Sequence, residues 1–107
     1  MQNYLFKLEK VIKRNKSKNI KKSYTAYLFK KGNSYSIKKL SEEFKELSFA
    51  LNRDNKKNII REVADLIYHL MVLIVAKKIK LSQILKELIR RSRLSGIQEK
   101  KNRNYVR

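Results

Sequence analysis

The sequence predicts an all-α protein, a helical bundle of four to five helices completed by dimerisation. Three observations point there. The 107-residue chain contains no Pro and only two Gly, so it lacks the residues that tight turns and β-corners usually demand. Its apolar residues recur at helical spacing. Residues 56–77 are apolar around much of their circumference, as befits a helix buried on several sides. A chain this short builds only a modest core, so a second copy is the natural source of that burial.

Taken in order, Tyr4, Leu5, Leu8, Val11 and Ile12 define an amphipathic helix over residues 4–13, and 14–22 form a basic, aperiodic loop. Ser23 or Thr25 is placed to cap a short helix over 27–31, and Gly32 follows where helices commonly end. Ser34 or Ser36 is expected to cap the next helix, 37–51, with Leu40, Phe44, Leu47 and Leu51 as its buried stripe. Asn and Asp residues make 52–55 a turn, and Asp54 or Asn55 caps the long helix 56–77. A last helix covers 81–92. Residues 1–94 therefore form one domain, and 95–107 a flexible basic tail.

Without Cys there are no disulfides and no thiolate metal sites. The start of the chain shows no basic-then-apolar signal pattern, and the longest apolar run, 70–76, is well short of the roughly 20 residues of a membrane span. A cytoplasmic protein without membrane contact is expected. The net charge of +19 invites a nucleic-acid reading. However, the basic residues are dispersed from Lys7 to Arg107. The abundance of Lys, Asn and Ile beside scarce Gly, Ala, Pro and Trp is what an A/T-rich genome produces by compositional drift. Attraction of phosphorylated small molecules is the preferred use of the charge, with nucleic acid the lesser alternative.

Acidic residues number nine against 28 Lys and Arg, which makes their placement informative. Five lie in two clusters, Glu42-Glu43-x-x-Glu46 and Glu62-x-x-Asp65, each on a predicted helix. With ~100° per residue and Glu43 at zero, Glu46 falls at ~300°, Lys39 at ~320° and Glu42 at ~260°. On the second helix Asp65 and His69 lie at ~300° and ~340° from Glu62. Each helix thus offers two carboxylates one turn apart, and antiparallel packing across the short 52–55 connection can bring the pairs together. Four converging carboxylates repel one another unless a cation joins them, and oxygen-only ligands suit Mg²⁺ or Mn²⁺. The competing reading makes these acids surface partners of nearby lysines, Glu42 with Lys38 or Lys45.

The order of these motifs resembles the MazG-type all-α nucleoside triphosphate pyrophosphohydrolases. Within that superfamily the sequence is most similar to the phosphoribosyl-ATP pyrophosphatase family, over residues 8–91. The narrower likeness lies in Ser23-Tyr24-Thr25-Ala26, Lys31-Gly32, Lys39-Leu40-Ser41-Glu42-Glu43 and the run from Glu62 to Leu70. Ser41 and Lys78 stand where the family usually has Gly, and Lys80 where Ser or Asp often caps the last helix. None of these departures removes an acidic residue.

The resemblance implies magnesium-dependent hydrolysis of 1-(5-phosphoribosyl)-ATP to 1-(5-phosphoribosyl)-AMP and pyrophosphate, the second step of histidine biosynthesis. It assigns Glu43, Glu46, Glu62 and Asp65 to the metal, and Glu42 with Glu43 to catalysis, Glu42 either supporting the metal ligands from behind or acting as the base that orients water. Lys39, Tyr24 and Thr25 become substrate contacts. The homodimer is expected from the apolar long helix instead. His69 is expected to be a satisfied structural histidine, and Tyr68 a packing residue with its hydroxyl at the rim. The alternatives are a house-cleaning (d)NTP pyrophosphohydrolase and a small basic nucleic-acid-binding helical protein.

Overall fold

The computed structural model describes residues 4–93, which form five α-helices and no strand. The expected 95–107 tail lies outside them. Helix α1, Tyr4–Asn15, buries Ile12 through its amphipathic pattern. Helix α2, Tyr24–Lys31, starts three residues earlier than periodicity suggested. Ser23 is extended there, and its hydroxyl accepts the Ala26 N–H at 3.1 Å, so the helix begins at once.

Gly32 both ends α2 and opens α3, Asn33–Arg53. Its φ of 94° and ψ of 174° fall in a region open essentially to glycine alone. Its N–H donates to the Leu28 carbonyl while its own carbonyl accepts from Ser36 N–H. Ser34 and Ser36 therefore lie inside α3, and neither caps it, because the glycine reverses the chain without needing a side-chain acceptor.

Asp54, left-handed at φ 54°, and Asn55 join α3 to α4, Lys56–Ala76. Asn55 Oδ1 accepts the Asn58 N–H at 3.2 Å and caps the new helix. The two-residue link folds α3 and α4 into an antiparallel hairpin, the principal helix pairing of the molecule. The hairpin also corrects the predicted stripe of α3. The residues buried are Ser36, Glu43, Leu47 and Ala50, a face rotated by roughly 60° from the one drawn through Leu40, Phe44, Leu47 and Leu51. Of the predicted four, only Leu47 is buried, and Phe44 and Leu51 are exposed. The rotation turns Glu43 inward, towards α4. It also leaves Ile37, Leu40 and Phe44 facing outward beside Leu66 and Leu70 of α4 as an apolar groove.

The core gathers elsewhere. Ile12, Leu28, Met71, Val72, Val75 and Leu81 form it, drawn from α1, α2, the C-terminal half of α4 and the start of α5, Leu81–Arg91. Tyr35 is the α3 residue that packs against it. Two sequence departures find their explanation at the α4–α5 junction. Lys78 has φ 61°, and the Lys78 and Ile79 N–H groups return to the Val75 and Ile74 carbonyls. That is the bonding of a Schellman ending, in which the left-handed residue is usually Gly. Lys80 provides no side-chain acceptor for α5. Instead Glu9, buried on α1, accepts the Leu81 N–H at 2.8 Å, and Gln83 Oε1 accepts the Lys80 N–H at 2.9 Å. Among the described residues no helix is long and apolar enough to cross a membrane.

Candidate metal centre

The α3–α4 hairpin brings together carboxylates that lie 19 to 22 positions apart in sequence. Oxygen atoms of Glu43, Glu62 and Asp65 all lie within 4.8 Å of one another. Glu43 is buried on the face of α3 that meets α4, Glu62 is half-buried, and Asp65 one turn further along α4 is exposed. Two oxygens, Glu43 Oε2 and Glu62 Oε1, are buried without any hydrogen-bond partner. A buried carboxylate oxygen left in this way costs free energy, and native structures rarely tolerate it without a reason.

The electrostatics agree. Burial, then the neighbouring carboxylates of Glu46 and Asp65, push the Glu43 carboxyl above its ordinary range, while His69 acts in the opposite sense. The Glu62 carboxyl is raised too, by desolvation first and then by Glu46 and Asp65, against a lowering from Arg61. Mutual repulsion of oxygen donors with orphaned lone pairs is what a hard divalent cation relieves, so this donor set fits Mg²⁺ or Mn²⁺.

Glu46 is exposed one turn beyond Glu43. It lines, with Glu62, an opening bounded by Phe49, Arg53, Asn58 and Arg61. It thus stands beside the cluster, outside the three whose oxygens converge. Glu42 points to solvent and pairs with Lys39 at 3.4 Å. This hydrogen bond is the main reason the Lys39 ammonium is held above its usual pKa.

On the other side stands an aromatic group built by α2 and α4. Tyr24 stacks between Tyr27 and Tyr68, each ring centroid 6.1 Å away, and its hydroxyl lies 3.2 Å from His69 Nε2. Burial raises the Tyr24 phenol, and Lys39 lowers it. The His69 ring is buried, and its Nδ1 donates to the Asp65 backbone carbonyl at 2.9 Å, so both ring nitrogens are satisfied as expected of a structural histidine. Thr25 is buried, and its hydroxyl is 2.6 Å from that of Tyr68. The Tyr68 hydroxyl is therefore bound inside rather than free at the rim.

Sequence reasoning missed Arg53, Asn58 and Arg61 beside the acids, and the hydrogen bond between Tyr24 and His69. The helical angles placed His69 on the Asp65 face, but nothing local placed α2 against it.

The sequence profile of the phosphoribosyl-ATP pyrophosphohydrolase family matches residues 5–92. The chain belongs to this family. All the acidic, lysine and tyrosine residues just described fall within the phosphoribosyl-ATP pyrophosphohydrolase match. Relatives include a phosphoribosyl-ATP pyrophosphatase of Vesicomyosocius okutanii, 45% identical over 104 residues that cover 97% of this chain and 99% of that one. The phosphoribosyl-ATP pyrophosphatase of Leptospira biflexa is 46% identical over 88 residues, covering 82% and 96% respectively. A histidine biosynthesis bifunctional protein of Caldanaerobacter subterraneus is 49% identical over 87 residues, 81% of this chain but 42% of that one.

Proposed function

We propose that the acidic cluster of α3 and α4 is where this chain performs the reaction of its family. That reaction is hydrolysis of 1-(5-phosphoribosyl)-ATP to 1-(5-phosphoribosyl)-AMP and pyrophosphate, in histidine biosynthesis. The observation that carries the assignment to this site is the pair of orphaned oxygens on Glu43 and Glu62, converging with Asp65 inside the family match.

Glu43, Glu46, Glu62 and Asp65 hold Mg²⁺, with Mn²⁺ as a substitute; when bound, the ion neutralises phosphate charge and polarises a phosphoryl oxygen. The chain's own groups do the rest. An exposed ion pair within one helix is worth little, so the Lys39 ammonium exchanges Glu42 for a phosphate oxygen at small cost. Glu42, released, accepts a proton from the attacking water as the α–β phosphoanhydride breaks and pyrophosphate leaves. Glu43, as a ligand of that ion, would share the catalytic work by setting where the reacting phosphate lies relative to Glu42. Tyr24 contacts the substrate directly, and Thr25 supports it by holding Tyr68 against the Tyr24 ring.

The active form is a homodimer, in the cytoplasm, whose interface includes the groove of Ile37, Leu40, Phe44, Leu66 and Leu70. Phe44 is 60% exposed there, in a chain with too little core to leave such a face in water. Phe44→Glu is expected to sediment as a monomer, and an unchanged oligomeric state would remove this interface.

The activity is tested by pyrophosphate release with Mg²⁺ from phosphoribosyl-ATP and from dNTPs. Turnover of the first well above the second is expected. A preference for dNTPs would reassign the chain to house-cleaning hydrolysis.

A further inference from the structure

We infer that His69 is a positioning residue that makes Tyr24 a hydrogen-bond acceptor towards substrate, coupling the substrate side of the site to the turn of α4 that carries Asp65. The inference rests on the substrate contact proposed for Tyr24.

The chain of donors fixes the direction. A backbone carbonyl only accepts, so the 2.9 Å contact with Asp65 O places the proton on His69 Nδ1. In the neutral ring Nε2 is then an acceptor, and at 3.2 Å its partner is the Tyr24 hydroxyl. That hydroxyl has one proton and gives it to His69. What Tyr24 Oη then offers to a further partner is lone pairs alone, so it accepts from a hydroxyl or amine donor of the substrate and cannot donate to a phosphate oxygen.

The arrangement is held from several directions. His69 is 6% exposed, edge-on to Tyr24 at 81° and to Tyr68 at 84°. Tyr24 itself is 48% exposed, so the residue is reachable from solvent while its hydroxyl is held by His69. The Tyr68 hydroxyl is engaged by Thr25, which holds that ring in place beside Tyr24 and His69. Because Asp65 and His69 share one helical turn, a shift of either moves the tyrosine relative to the carboxylates.

This predicts a kinetic signature. Tyr24→Phe and His69→Phe each raise KM by several-fold to about tenfold, the size of one lost hydrogen bond, with kcat within about twofold. The double variant is no worse than either single one, because both remove the same interaction. Additive losses, or a fall in kcat alone, would overturn the coupling.

A second measurement needs no turnover. His69 is the sole histidine of the chain, so ¹⁵N-histidine labelling reports one imidazole. A pyrrole-like Nδ1 and a pyridine-like Nε2 are expected, with the Nε2 signal shifting in Tyr24→Phe. The opposite tautomer, two protonated nitrogens, or an Nε2 signal indifferent to Tyr24→Phe sinks the proposal. If phosphoribosyl-ATP is not turned over by the wild type, the functional reading fails and this spectrum alone decides the role of His69.

Discussion

The two halves of α4 are one continuous helix with opposite fates. Its C-terminal half, from His69 to Val75, carries four of the molecule's buried residues, packed against α1, α2 and α5. Its N-terminal half has α3 as its main neighbour, and there Ile60 is 69% exposed while carboxylates occupy the inner face. Hydrophobicity alone does not explain the difference, since Ile59, Ile60 and Val63 are as apolar as Met71, Val72 and Val75. What differs is how many helices surround each half. The crowded half carries the core, and the sparse half carries the converging carboxylates. Core and acidic cluster are thus separated along a single helix.

The largest effect should come from the sparse half. Glu43→Gln is expected to lower turnover by roughly two to three orders of magnitude, the scale of losing a preorganised charged group. The fold should survive, and thermal melting without added metal should occur at an unchanged or higher temperature, because one repelling charge is gone. The pH dependence follows from the same groups. Glu43 and Glu62 are raised in the folded state, so the folded chain binds their protons more tightly than the unfolded chain. The stability this provides is fully present below the ordinary carboxylate pKa of 4.5 and is lost as pH rises through the raised values. Added Mg²⁺ should therefore raise the melting temperature more at neutral pH than in the acid range. Equal gains at both would place the ion elsewhere.

The crowded half is tested by truncation. Met71→Ala should cost about 2–5 kcal/mol in chemical denaturation, the usual cost of a core cavity. Ile60→Ala, eleven positions earlier on the same helix, should cost less than about 0.5 kcal/mol in the monomer. Comparable losses would mean that the two halves are not distinct.

A smaller effect belongs to the strut between α1 and α5. Glu9→Ala leaves the buried Leu81 N–H without its acceptor and should cost about 1–3 kcal/mol. Amide exchange should then rise across α5 before it rises in α3. The smallest change is favourable. Lys78→Gly relieves a left-handed non-glycine backbone and should add about 1 kcal/mol, read as a higher denaturation midpoint.

Much of this was legible in the chain. Helical periodicity marked five helices, and the angles around each placed Glu43 with Glu46, and Glu62 with Asp65 and His69. Both are local properties, set within a turn or two by backbone geometry. The motifs around them were enough to indicate the family. Lys78 and Lys80 could be recognised as departures, but not how the chain accommodates them. The left-handed ending is kept despite the lysine, and the cap of α5 comes from Glu9, 72 positions away.

The sequence by itself determined which residues share a helix face, because that depends on 3.6 residues per turn and nothing further away. Only the tertiary structure decided which face meets which neighbour. Two apolar faces of α3 competed, and the one chosen, through Glu43, Leu47 and Ala50, was set by the packing of the α3–α4 hairpin against the rest of the chain. That choice buried the Glu43 and Glu62 oxygens without partners, and left Phe44 facing out. The placement of α2 brought Tyr24 to His69. Each of these outcomes depends on burial summed over several helices, a quantity that no single segment contains.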